Sequence, residues 1–266
     1  MRFSFVFPTR DRVKLLARTV TSILDTAANP DNIEFIIAYD NDDPQTTKTL
    51  WEHFPKFIKH KNLRRIMFKR KNEFAAYYND CIPYITGDVV WAWGDDNIIV
   101  TEKWDKIIKA HAHGLFPWSK RYEDDVWLGA TSDYRVEGNN LMAERHPLTK
   151  EIFPCFPILS HKAVKALKYI HNPGLRVHGN DVYLYMLFKN VERVIDMRKI
   201  EIITEKTPDD KQEERLKIHQ EDLQRMVDAG IAKKEGNTVA YNIANDAKKL
   251  RLAIGIPKFY RLAKGE

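Results

Sequence analysis

Apolar residues over the first hundred positions follow two alternating rhythms. Short β-favouring runs occur at Phe3–Phe7, Ile33–Tyr39, Arg65–Phe68 and Val89–Trp93. Between them, Val13–Ala27, Thr46–Phe54 and Phe74–Cys81 carry apolar residues at three- and four-residue spacing, the period of a helix with one buried face. An unbroken apolar run such as Val89–Trp93 suits a strand covered on both sides, as in a parallel sheet. Strands separated by helices are joined by right-handed crossovers. The pattern predicts an α/β fold: a mostly parallel sheet flanked by helices.

After Thr101 the rhythm loosens. Lys103–His113 reads as a helix, Trp127–Ala130 as a strand and Tyr134–Pro147 as loop-rich. Cys155–Leu159 reads as a strand, followed by Ser160 as N-cap of a helix over His161–Tyr169. Asp181–Lys189 is a further helix, and Lys211–Ala229 a long charged one. No internal repeat or low-complexity linker is present. The expected division is one catalytic-type domain over 1–207, with halves 1–105 and 106–207, and a helical C-terminal extension over 208–266.

The length of 266 residues allows one sizeable core, and apolar and charged fractions of 44% and 30% are those of a globular protein. The apolar runs are too short to cross a bilayer, and Met1 leads at once into strand-like FSFVF, leaving no room for a signal peptide. Cys81 and Cys155 have no metal-binding spacing and fit a reducing compartment. A cytoplasmic location is expected, the host's cytoplasm if the source is viral. Charge is uneven: residues 247–266 hold six basic residues and one acid, against a net charge of +6 for the chain. That tail, interleaved with Leu250, Leu252, Ile254, Phe259, Tyr260 and Leu262, is either a packed helix with a solvated face or a surface for nucleic acid or membrane.

Four polar clusters fall at the carboxyl ends of the predicted strands, where open α/β sheets bind ligands. Pro8-Thr9-Arg10-Asp11-Arg12 follows the first strand, and its cations and helix N-terminus suit a pyrophosphate, although Asp11 can equally be an N-cap. Asp40-Asn41-Asp42-Asp43 follows the second; it can accept hydrogen bonds from a base or ribose, or simply form an Asx-turn before Pro44. The Lys69–Asn79 stretch brings Asn72 and Asn79 together with small Ala75 and Ala76. Gly94-Asp95-Asp96-Asn97 ends the fourth strand. Two adjacent carboxylates repel unless something positive sits between them, and a hard divalent cation carrying a substrate's phosphates is the obvious candidate; the plain alternative is an acidic turn that ends the strand.

In this order and spacing the four clusters resemble the nucleotide-sugar-binding half of GT-A glycosyltransferases, in particular the family-2-like group. The resemblance is good over residues 3–105 and weaker over 150–190. It implies a GT-A-like fold and transfer of a sugar from a nucleotide-diphosphate sugar, most commonly a UDP-sugar. Pro8, Thr9 and Arg12 match the opening turn, and Asp40 or Asp42 matches the acidic residue that contacts base or ribose. Gly87, Asp88 and the following run match the strand leading to the DxD motif. Gly94 stands where the first DxD aspartate usually lies. Asp96 falls on the usual metal ligand, for Mn²⁺ or Mg²⁺, and Asp95 on the middle position facing sugar or ribose.

The resemblance also implies a catalytic carboxylate at a helix start in the second half, matched by Asp181 in His178-Gly179-Asn180-Asp181. That residue would deprotonate the acceptor hydroxyl and give inversion; N-capping by Asn180 or Asp181 is the plain structural alternative. A later histidine often completes the metal site in this family, and His178 and His219 are the candidates. Trp91 and Trp93 read as core, while Trp118, with His178 and Asn180, is an acceptor-side candidate. The basic tail makes a hydroxylated base in DNA one possible acceptor, as in bacteriophage-type DNA-modifying enzymes; a glycan, lipid or protein is equally compatible. A sugar-nucleotidyltransferase is disfavoured because PTRDR lacks glycine, and a non-enzymatic nucleic-acid-binding protein is the remaining rival.

Overall fold

The computed structural model describes residues 1–52, 61–71, 73–115, 125–137, 140–143, 155–175, 179–204, 217, 221–222, 224–228, 230, 232–235 and 238–254. The described strands are β1 (Phe3–Pro8), β2 (Ile33–Asp40), β3 (Leu63–Phe68), β4 (Val89–Ala92), β5 (Asn97–Ile99), β6 (Leu128–Glu137), β7 (Asn140–Ala143), β8 (Ile158–Ser160), β9 (Val194–Thr204), β10 (Ala232–Glu235) and β11 (Thr238–Tyr241). The α-helices are α1 (Val13–Thr26), α2 (Pro44–Glu52), α3 (Phe74–Asp80), α4 (Trp104–Leu115), α5 (His161–Leu167), α6 (Asn180–Asn190) and α7 (Ala244–Ile254). The main sheet runs β3-β2-β1-β4-β8-β6-β9-β5, with β7 on β6.

The pairs among β3, β2, β1 and β4 are all parallel, as the continuous apolar runs predict. Beyond β4 the sheet is mixed: β8 is antiparallel to β4 and to β6, β9 is parallel to β6, and β5 is antiparallel to β9. The α/β class stands, with an antiparallel portion the apolar pattern did not reveal. Several elements depart from expectation. Tyr134–Glu137 and Asn140–Ala143, within a stretch read as loop-rich, form the β6–β7 pairing; in sequence, Gly138-Asn139 between two β-favouring runs is a hairpin signal. Strand β9 carries buried Ile195 and Met197, then Ile200 and Ile202. Its period-two pattern breaks at Arg198-Lys199, opposite a register shift in β6 between Ala130 and Ser132.

Period-two alternation divides the core into two layers. Phe3, Phe5 and Phe7 of β1, Phe35 of β2 and Trp91 and Trp93 at β4 face α1 and α4. Val6, Ile36, Val90 and Ala92 face α3, α5, α6 and α7. Phe5 is the hub of the aromatic layer, with ring centroids 5.1 Å from Trp91, 5.6 Å from Trp93 and 5.4 Å from Trp104. Both β4 tryptophans are fully buried, as expected of core. Ser160 caps α5, its hydroxyl accepting from the Ala163 N–H at 3.3 Å. Where a wholly helical segment was expected, β10 and β11 pair antiparallel before α7, which is anchored by Asp246: it accepts from Tyr183 Oη at 2.7 Å, from Tyr169 Oη and from Lys249 Nζ at 2.6 Å.

The amino end of the sheet is held by one buried acid. Glu34 accepts from the Ser4 hydroxyl, from Thr86 N and Oγ1 at 2.6 Å each and from Gly87 N at 3.1 Å, with Arg2 Nη2 3.3 Å away. Burial pushes its pKa up, but the Ser4 and Thr86 hydrogen bonds and the Arg2 charge outweigh burial and leave it lowered. A lowered folded pKa stabilises the fold at neutral pH, and that contribution is lost as pH falls through the folded value. Glu34→Gln is expected to destabilise by about 1–3 kcal/mol at pH 7. Thermal melts from pH 7 to pH 3 should show the gap from the parent narrowing as Glu34 protonates; a constant gap contradicts this role.

Candidate active site

The turn after β1 ties three neighbouring strand ends together. Thr9 N–H donates to Ala38 O at 2.9 Å, extending the β1–β2 ladder by one residue. From there successive side chains reach opposite ways. Thr9 Oγ1 donates to Asp95 Oδ2 at 2.8 Å, while Arg10 Nη1 donates to Asp40 Oδ2 at 2.8 Å and to Asp42 Oδ1 at 2.6 Å. Asp11 sits in the left-handed region at φ 53°; its N–H is shared between Asp43 Oδ2 at 3.0 Å and Thr46 Oγ1 at 3.1 Å. Arg12 then turns back to the β4 side. The helix cap is Arg12, without a side-chain bond, so Asp11 is a link to the second acidic loop and not the N-cap of α1.

Arg12 grips both carboxylates at the end of β4. Its Nη1 lies 2.9 Å from Asp95 Oδ1 and its Nη2 2.7 Å from Asp96 Oδ2. Asp95 is only 3% exposed, and its backbone carbonyl accepts from Thr19 Oγ1 of α1 at 3.0 Å. Burial raises the Asp95 pKa to about 6, with Arg12 opposing the rise and Asp96 adding to it. The turn delivers the chain into β5, which pairs with β9 on the far side of the sheet path. Asn97 Oδ1 accepts from Thr204 Oγ1 at 2.9 Å, and its buried Nδ2 has no acceptor among the described residues.

Helix α3 backs this rim. Tyr77 Oη donates to Asp40 and accepts from Lys71 N at 2.9 Å; burial and the Asp40 bond push its pKa up to about 12. Tyr78 Oη donates to Trp93 O at 2.9 Å, and its ring stacks on His171 with centroids 4.3 Å apart. Burial lowers the His171 pKa to about 3, so the ring is neutral, and neither of its nitrogens finds a partner among the described residues. Asn79 is fully engaged with that loop: its Oδ1 accepts from Ile170 N at 2.8 Å and His171 N at 3.0 Å, and its Nδ2 donates to His171 O at 2.7 Å. The loop continues to Leu175, whose carbonyl accepts from Asn180 Nδ2 at 2.9 Å at the start of α6.

The cap of α6 is Gly179 at φ 79°, where an added Cβ would lie 2.7 Å from Tyr241 Oη. Neither Asn180 nor Asp181 is that cap. Asp181 lies in the first turn, and its Oδ1 accepts from Val182 N at 2.8 Å. Tyr241, which burial and the Asp181 charge push up to about 12, packs edge-on against Tyr183 at 5.7 Å.

Among the predicted site residues, Thr9, Arg12, Asp95 and Asp96 thus form one cluster, adjoined by Pro8, Asp40 and Asp42. Asn79 instead straps α3 to the loop leading to Asn180 and Asp181. Asn72, Trp118, His178 and His219 lie outside the described residues. The sequence reading took Arg10 as a cation for pyrophosphate rather than as the partner of Asp40 and Asp42, and it missed Tyr77, Tyr78, His171 and Thr204. The Tyr-Tyr-Asn run was visible, but aromatic residues on a helix read equally well as core.

A divalent cation, as the resemblance implies, needs oxygen or nitrogen ligands that are not already engaged. Three of the four oxygens of Asp95 and Asp96 are engaged by Thr9 and Arg12, leaving Asp96 Oδ1. An acidic side chain cannot be added at Gly94 without displacement, since its Cβ would lie 2.6 Å from Asn97 Nδ2 and 2.9 Å from Asp96 Oδ1. No cluster of three His, Cys, Asp or Glu able to hold a metal exists among the described residues. These residues do not fit a protein-held metal centre.

The family model of Glycosyl transferase family 2 matches residues 4–167, which span β1 to the end of α5 and so include the whole rim around Arg12. The chain belongs to that family and is a glycosyltransferase. The fold is also that of solved S. aureus TarS structures. TarS 1–349 in complex with UDP-GlcNAc aligns with a TM-score of 0.61 at 12% identity, covering 99% of this chain and 76% of that one. TarS 1–349 in complex with UDP aligns at 0.59 and 14% identity, covering 96% and 71%. A longer S. aureus TarS chain aligns at 0.58 and 13% identity, covering 99% of this chain but 45% of TarS. No curated protein matches the sequence. No helix among the described residues is long and apolar enough to cross a membrane.

The packing at Gly94 is directly testable. Gly94→Asp is expected to lower stability by about 1–3 kcal/mol through overpacking against Asn97 and Asp96. Thermal melts with and without excess Mn²⁺ should show a lowered midpoint that the metal does not restore. A variant that Mn²⁺ stabilises strongly would mean a complete DxD site can form here.

Proposed function

We propose that this glycosyltransferase uses a nucleotide-diphosphate sugar, a UDP-sugar, and transfers the sugar to an acceptor hydroxyl with inversion. The observation that carries the reading is the convergence of the β1, β2 and β4 ends through the 9–12 turn. It places the acids Asp40 and Asp42 on one side of Thr9, Arg10 and Arg12, and Asp95 and Asp96 on the other. Asp40, fixed by Arg10 and Tyr77, suits the donor's base or ribose, and the Thr9–Arg12 side suits the diphosphate and sugar. The UDP and UDP-GlcNAc named with the S. aureus TarS structures support a uridine donor.

Asp181 is the proposed base. It takes the acceptor proton while the acceptor oxygen attacks the anomeric carbon from the face opposite the departing nucleoside diphosphate, which inverts that centre. Its fixed first-turn position on α6, reached from α3 through the Asn79-held loop, supports the assignment. The second reading is a divalent cation, Mn²⁺ or Mg²⁺, brought in on the donor's phosphates rather than held by the protein; Asp96 would be the residue that meets it, because its Oδ1 has no hydrogen-bond partner among the described residues.

The acceptor favoured by charge is a hydroxylated base in DNA, because the basic residues from 248 onward dominate the net charge. Within the described part, Lys249 pairs with Asp246 and Arg251 bonds Asn190, so Lys248 and the residues after 254 would carry the contact. Asp181→Asn is expected to slow release of UDP from UDP-GlcNAc by about 10²- to 10⁴-fold while calorimetric donor affinity stays near the parent's. Parent-level turnover would remove Asp181 from the mechanism. Adding hydroxymethylated DNA should accelerate UDP release in a manner lost at high salt; no acceleration at any salt points to another acceptor.

A further inference from the structure

The strong feature of this rim is that the positive charge between its paired acids is already supplied by the protein. Arg12 spans Asp95 and Asp96 with separate nitrogens, on a side chain that is still 32% exposed. It stands at the amino end of a 14-residue helix, where backbone N–H groups and the helix dipole favour an anion. Beside it, the buried Asn97 Nδ2 lies against Gly94 with no acceptor among the described residues. The turn therefore offers a guanidinium and an amide donor where a metal centre would need carboxylate oxygens. A divalent ion on Asp96 would also lie next to the guanidinium and be repelled by it.

Resting on the nucleotide-sugar reading above, we propose that Arg12 is the catalytic cation of this enzyme and that donor uptake and transfer proceed without a divalent metal. Arg12 stays beside Asp95 and Asp96 and meets the donor's diphosphate with the exposed part of its guanidinium, and the Asn97 amide supplies a further donor at Gly94. In the transfer step the bond between the anomeric carbon and the β-phosphate oxygen breaks, and its electron pair goes to that oxygen. The acceptor oxygen forms the new bond to the anomeric carbon and its proton passes to Asp181. Arg12 meets the charge that develops on the leaving diphosphate, and a preorganised charge-assisted donor is well suited to that task. Asp95 and Asp96 then serve as positioning residues that hold Arg12 in place before the donor arrives.

The test is calorimetric titration of the full chain with UDP and with UDP-GlcNAc, in EDTA and in excess Mn²⁺. The inference predicts affinities that agree within about threefold between the two conditions, and a loss of about tenfold or more in Arg12→Gln in EDTA. In that variant the exposed acid pair should begin to bind Mn²⁺, seen by electron paramagnetic resonance as loss of free-ion signal that the parent does not cause. Circular dichroism melts identify a variant that has merely unfolded, and the parent comparison in EDTA needs no variant. Binding that requires Mn²⁺ overturns the inference and leaves the donor reading standing. Binding of neither ligand under either condition overturns both.

Discussion

Two neighbouring carboxylates at the end of a fully buried strand are unstable unless a cation reaches them, and Arg12 is that cation. Asp95 is nearly inaccessible and burial drives its pKa upward, so its charge depends on the guanidinium and the Thr9 hydroxyl. The placement of the first turn follows from this requirement. Arg12 can bridge both acids only if α1 starts directly beside β4, and α1 does so because β1 and β4 are parallel neighbours in the sheet. Left-handed backbone at Asp11 lets the short turn send Arg10 one way and Arg12 the other. Asp43 and Thr46, just after β2, compensate that backbone by accepting the Asp11 N–H.

The aromatic layer gives the rim its rigidity. Phe5, Trp91, Trp93 and Trp104 fill the space between the sheet and the helices α1 and α4, and such close packing transmits position with little slack. On the opposite layer, α3 carries position from the rim to the second half of the enzyme. Tyr78 holds Trp93 and stacks on His171, and Asn79 ties down the same loop, which ends at Asn180. Asp246 fastens the C-terminal helix to Tyr183 on the same α6 that carries Asp181. The extension is thus continuous with the framework behind the proposed base.

The sequence made most of the parallel half legible because β1, β2 and β4 are covered on both faces and read as largely apolar runs, while the edge strand β3 carries two arginines and is only partly buried. Strand β9 was not legible: its alternation is interrupted at Arg198-Lys199, where the pairing with β6 shifts register. The acidic clusters and Arg12 could be found by position, since they follow strand ends. Their partners could not. That Arg10 serves the β2 acids and Arg12 the β4 acids depends on a left-handed residue that sequence does not announce. Asn79, plausible as a ligand contact in sequence, proved to be spent on backbone groups far along the chain, and no local pattern encodes a contact across 91 or 92 residues.

One guanidinium serves both the enzyme's own acids and the diphosphate of its donor. A crystal structure of the chain grown with UDP-GlcNAc in the presence of EDTA tests this most directly. The diphosphate is expected at the carboxyl end of β1 and β4, within hydrogen-bonding distance of Arg12 and close to Asn97, with the base near Asp40. A nucleotide bound elsewhere, with no contact to Arg12, would contradict it.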